Sequence, residues 1–201
     1  MKITITEALV KLKTLESRIE KGIHNLSVVG VKRADGTKLT NGVTEEKDFI
    51  ERAKASYQSV SDLMKLRSNM KAAIAESNAK TIVTIAGKEY TVAHAIDKKN
   101  SIHLDQQLIS RLKTDLSQGM RSVQQLNQQA EDKANKNVEI MLGSDKAKNK
   151  TVYDKNKGVL VDAIGVEKLI EQMEVDVKDF LDSVDTQLVI SNSTTFIEIE
   201  D

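Results

Sequence analysis

The sequence contains no cysteine, no proline and no tryptophan. Without cysteine the chain cannot form a disulfide, a thiol nucleophile or a thiolate metal site, so those kinds of stabilisation and chemistry are excluded. Without proline, nothing in the sequence enforces a break in a long helix. Aromatic rings are also scarce, because three Phe and three Tyr make up 3% of the residues. The core must therefore be built from aliphatic side chains and Met, the usual material of contacts between helices.

An excess of one charge and long apolar runs are missing as well. Thirty basic residues balance thirty acidic ones, so the formal net charge is zero. This balance argues against the broad positive surface of a nucleic-acid-binding protein. It also provides little repulsion between copies, which suits a subunit that associates.

No run approaches the roughly 18 apolar residues of a membrane span, and the first residues lack the apolar core of a signal peptide. We expect a protein that is made in the cytoplasm.

The composition is that of a folded protein. Hydrophobic residues make up 39% of the chain and charged residues 30%, which is too apolar for wholesale disorder. The length of 201 residues suits one domain or two small ones, and we predict a single elongated helical domain over residues 1–201. The predicted fold class is mainly all-α, with long antiparallel helices, a small β-hairpin over residues 81–91 and a terminal strand.

Four helices are predicted from apolar side chains that recur at steps of three and four residues. Their predicted limits are residues 4–22, 44–79, 92–142 and 165–190. Asn100 or Gly119 could interrupt the third helix. Helix should therefore cover about two thirds of the chain, about double the usual share.

Polar residues at the predicted helix starts indicate where each helix begins. Thr4 and Glu7 have the spacing of a capping box. Thr44 and Thr91 are placed to cap the second and third helices. The fourth helix has the most regular apolar spacing, and we expect it to bury five side chains: Leu169, Met173, Val177, Phe180 and Val184.

Besides the predicted hairpin, three segments lack a helical pattern. Residues 25–43 are β-prone and contain two turn dipeptides, Asp35-Gly36 and Asn41-Gly42, which predicts a β-prone arm or loop. Residues 144–160 are polar and rich in lysine. They predict a solvated loop, with contact to an acidic partner or to nucleic acid as the alternative. The tail, residues 194–200, alternates in polarity as a strand does.

The arm and the tail are the predicted contact surfaces. A β-prone segment without a sheet of its own needs a partner, because exposed strand edges pair readily with a neighbouring chain. We therefore predict that both segments contact other chains. The predicted contact residues are Leu26, Val28, Val29, Val31, Phe196, Ile197 and Ile199.

Residues that could carry chemistry do not form a recognisable site. The three histidines, His24, His94 and His103, are too widely spaced for a metal site, and no HExxH motif is present. The nine glycines are scattered, without a phosphate-binding loop or a GxSxG elbow. Acidic pairs such as Glu45-Glu46 are typical of a helix surface near its start. We predict no catalytic, cofactor-binding or metal-binding residue, and a protein that is not an enzyme.

Three short stretches resemble a small helical bacterial family, the septicolysin-like proteins. Residues 3–9, Ile-Thr-Ile-Thr-Glu-Ala-Leu, are similar to the opening of that family. Residues 87–96 resemble its glycine turn that enters a helix at a T-x-A-x-A-I pattern. Residues 184–188, followed by Asn192, are similar to its ending. The chain departs from the family in its longer third helix and its lysine-rich segment. The resemblance implies a helical fold and carries over no catalytic residue.

The chain also resembles bacteriophage virion structural proteins, since proteins of this character occur in the structural gene clusters of long-tailed and contractile phages of Gram-positive hosts. This resemblance implies a non-enzymatic structural subunit of the head, neck, tail or baseplate, located in the virion and made in the host bacterial cytoplasm. Its partners would be copies of itself and other virion proteins, without a membrane, a specific nucleic acid, a cofactor or a small-molecule substrate. The alternative is a cytoplasmic scaffold or regulatory protein of the septicolysin-like type. A membrane-active helical protein is disfavoured, because no uninterrupted apolar hairpin is present.

Overall fold

The computed structural model describes residues 1–40, 44–140 and 146–199. Along the chain the elements are β1 (Lys2–Thr4), α1 (Ile5–His24), α2 (Glu46–Lys80), β2 (Ile82–Ile85), β3 (Lys88–Thr91), α3 (Val92–Ile140), α4 (Lys146–Asn156), α5 (Val166–Thr194) and β4 (Phe196–Glu198). Helices account for 74% of the structure, and the described strands form two antiparallel pairs, β1 with β4 and β2 with β3. The predicted mainly all-α class is confirmed. Asn41, Gly42 and Val43 of the predicted arm, and Met141 and Leu142 at the predicted end of the third helix, lie outside the described residues.

The chain divides into two compact units. The first, named here the terminal unit, comprises Met1–Asp97 and Val184–Asp201, and the second, the central unit, comprises Lys98–Ser183. This differs from the single domain predicted above. The apolar periodicity runs without a break across both junctions, because α3 and α5 each contribute residues to both units. A pattern that continues through a helix carries no mark of a boundary.

The core of the terminal unit joins the two ends of the chain. Ile3 of β1 lies opposite Ile197 of β4 in the antiparallel pair. Their side chains pack with apolar residues of α1 and α2. The buried cluster consists of Ile3, Ile5, Ala8, Leu12, Leu15, Met70, Ile74, Ile197 and Ile199. The apolar stripe predicted for the first helix is confirmed in part: most of it is buried, whereas Leu9 and Ile23, which share its spacing, are exposed.

Two of the three predicted threonine caps are confirmed. The Glu7 backbone N–H donates to Thr4 Oγ1 at 3.2 Å, and the Thr4 N–H donates back to Glu7 Oε2 at 2.8 Å. The Thr4 hydroxyl also donates to Glu7 Oε2, at 3.1 Å. The Thr4 backbone N–H, and after it this hydroxyl, hold the pKa of the Glu7 carboxyl below its usual range, because both donate to the charged form. At α3, the His94 N–H donates to Thr91 Oγ1 at 3.1 Å.

The predicted Thr44 cap is wrong. The N-cap residue of α2 is Glu45, whose side chain makes no capping hydrogen bond. Glu45 has an extended backbone because it forms an antiparallel bridge with Lys38 of the arm. The Glu46 N–H donates to the Thr37 carbonyl oxygen at 2.9 Å. The arm therefore satisfies a backbone donor at the helix start, which a side-chain cap would otherwise do.

The third helix is continuous from Val92 to Ile140, so neither Asn100 nor Gly119 breaks it. Gly119 serves packing instead, because a Cβ atom there would lie 2.9 Å from Leu160 Cδ1. Within the predicted lysine-rich loop, residues 146–156 form a helix, α4. The loop prediction is wrong for these residues. Sequence periodicity missed α4 because it carries no regular apolar stripe.

The predicted burial of the fourth helix, α5 in the structure, is confirmed in part. Phe180 is 1% exposed and Val184 is fully buried, while Met173 and Val177 are half-buried. Leu169 is exposed and Ile170 is buried in its place. Ile170 shares the stripe of Val177 and Val184 at a spacing of seven, whereas Leu169 is turned about 100° from it, the rotation per residue in an α-helix.

Candidate interaction surfaces

The described part of the arm, residues 25–40, folds back as a minimal hairpin. Lys32 and Leu39 form an antiparallel bridge, and the Thr40 N–H donates to the Val31 carbonyl oxygen at 2.8 Å. An ion pair between Lys32 Nζ and Glu46 Oε2, at 2.6 Å, holds the hairpin to the start of α2. The arm therefore has a fixed position within the terminal unit.

The arm packs one side inward and exposes the other. A Cβ atom at Gly30 would lie 3.1 Å from Leu39 Cδ2 and from Phe49 Cε1, so the Gly30 backbone packs closely on these two side chains. Val29 is 82% exposed. Val28 and Val31 are also exposed, and Leu26 is half-buried. Three of the four predicted arm residues are thus available for contact with a partner.

For two residues of the tail, the predicted contact with other chains is wrong. Ile197 is 6% exposed and Ile199 is 2% exposed, and both belong to the core of the terminal unit. The tail backbone is paired too, since the Ile199 N–H donates to the Met1 carbonyl oxygen at 2.9 Å. The strand in the tail, β4, pairs with β1 of its own chain instead of with a strand of another chain. Phe196, on the opposite face of β4, is 57% exposed, and Lys2 Nζ lies 5.5 Å from its ring centroid.

The structure shows a second exposed apolar segment, which begins within the last residues of the predicted lysine-rich loop and continues beyond it. It comprises residues 157–165, between α4 and α5, and is named here the inter-helix segment. Val161 is 90% exposed, and Val159 and Ile164 are also exposed. The signal in the sequence was an uncharged Gly-Val-Leu-Val run, residues 158–161, next to the last lysine of the polar stretch.

The side of the inter-helix segment that lies opposite the exposed valines packs against α3. A Cβ atom at Gly158 would lie 3.0 Å from the Cα and carbonyl oxygen of Val123, so a side chain there would push against the α3 backbone. The Gly158 N–H donates to Asn127 Oδ1 at 2.9 Å. Leu160 packs over Gly119. The valines are therefore exposed on a backbone that is already held in place.

Asp162 ends the segment and caps α5. Its carboxylate accepts hydrogen bonds from the backbone N–H groups of Ile164, Gly165 and Val166 at 3.1, 2.8 and 2.8 Å. These bonds, with Ile164 first and then Val166 and Gly165, hold the pKa of Asp162 below its usual range, because they stabilise the charged form. At neutral pH the cap is therefore an anion.

We expect Asp162→Ala to fray the first turn of α5 at neutral pH. Because the folded pKa is lowered, the stabilisation is complete above the ordinary value of 3.8 and is lost as the pH falls through the folded pKa. The measurement is an NMR titration of the Asp162 carboxyl together with the helical Cα shifts of residues 165–168. Asp179→Ala, which removes an exposed carboxylate from the middle of α5, is the control. An Asp162 pKa above 3.8, or unchanged Cα shifts in Asp162→Ala, would contradict this role.

The central unit contains an open groove of about 790 Å³ between α3 and α5. Ile109, Val177 and Leu181 are its apolar lining residues. Lys113 Nζ pairs with Glu174 Oε1 across it at 2.6 Å. Arg121, Lys178 and Asp182 also line the groove.

In the described part of the chain, no group of three or more His, Asp and Glu side chains could hold a metal ion. His24, His94 and His103 are all exposed. The His94 ring meets the Tyr90 ring edge-on at 5.2 Å, and His103 Nδ1 lies 3.0 Å from the Asn100 carbonyl oxygen. Each of these two rings thus contacts a neighbour in its own part of the chain.

Among the described helices, none is long and apolar enough to cross a membrane.

Comparison of the chain with protein-family models, with curated proteins and with solved structures finds no match. Function is therefore argued from the described residues.

Proposed function

We propose that the protein is a non-enzymatic structural subunit of a phage or phage-like particle. It acts by association with copies of itself and with neighbouring virion proteins. The observation that supports this proposal is the pair of non-helical segments, the arm and the inter-helix segment, that expose valines while their other side is fastened to a helix.

Scattered exposed apolar residues are normal on a protein surface. These two segments differ because Val28, Val29 and Val31 lie together on one, and Val159 and Val161 on the other. Burying one valine side chain contributes about 1.5 kcal/mol or more. Several copies of such a contact are needed to offset the cost of association, which is about 4–15 kcal/mol. A particle that repeats one subunit supplies those copies.

The charge of the chain supports the same role. A formal net charge of zero means that copies do not repel one another strongly. In this proposal the protein is made in the host cytoplasm and resides in the virion.

Sedimentation velocity of the purified chain at rising concentration tests the proposal. We expect the sedimentation coefficient of the wild type to rise with concentration, and the rise to be reduced in the double variant Val29→Ser/Val31→Ser. The matched control is Val10→Ser/Val189→Ser, which changes two similarly exposed valines on helices. The protein should also cosediment with particles from its native source. A monomer at every concentration that never accompanies a particle would favour the cytoplasmic scaffold or regulator instead.

A further inference from the structure

We draw no further inference here: the strongest candidate, the patch of exposed valines on the inter-helix segment between α4 and α5, is an apolar face, and nothing in the structure shows what covers it.

Discussion

Replacing Ile197 with alanine should lower the free energy of unfolding by about 2–5 kcal/mol, the range for truncating a buried aliphatic side chain. Ile197 lies opposite Ile3 in the β1–β4 pair and belongs to the core cluster of the terminal unit. Alanine would leave a cavity where the two ends of the chain meet, and the surrounding strands and helices can close it only in part.

The control for Ile197→Ala is the neighbouring substitution Phe196→Ala. Phe196 is on the exposed face of β4 and contacts Lys2, so its loss should change stability by about 0.5 kcal/mol or less. Chemical denaturation measures both variants. If Ile197→Ala left stability unchanged but abolished association, the tail would be an intermolecular strand after all, as the sequence had suggested.

Replacing Phe180 with alanine should cost about 3–5 kcal/mol, the range for a buried ring. Phe180 is 1% exposed and is the largest of the fully buried side chains in the described part of the chain. Lys98 Nζ lies 4.9 Å from its ring centroid, a distance at which the cation is attracted to the ring face. Truncation therefore removes both apolar contacts and this attraction from the central unit.

The control for Phe180→Ala is Val175→Ala on the same helix. Val175 is exposed, and its truncation should change stability by about 0.5 kcal/mol or less. Chemical denaturation followed by helical circular dichroism measures both variants. An equal and small effect of the two substitutions would show that the Phe180 ring is not part of a packed core.

Sequence alone predicted the helices well because their signals are local. The spacing of apolar residues marked α1, α2, α3 and α5, and hydrogen bonds between residues three apart in the chain confirmed the Thr4 and Thr91 caps. The four helix starts differ from the predicted limits by two residues at most. The helix α4 was missed, because a helix without a buried apolar stripe leaves no periodic pattern.

Sequence identified the candidate interaction surfaces less completely. It marked the valines of the arm, and the structure exposes Val28, Val29 and Val31. It gave the same role to Ile197 and Ile199, which the core buries. The β-prone pattern is the same for a strand that pairs with its own chain and for one that pairs with another, so the pattern could not separate the two outcomes.

The amino-acid sequence by itself determined the fold class, the starts of the long helices and the caps at Thr4 and Thr91, because these depend on residues close together in the chain. Tertiary structure decided that β4 pairs with β1, that Gly119 makes room for Leu160, and that Val159 and Val161 are left exposed. These outcomes depend on which distant surface each residue meets. Whether a side chain is buried depends on contacts between residues that are far apart in the chain, so no local pattern of side chains predicts it.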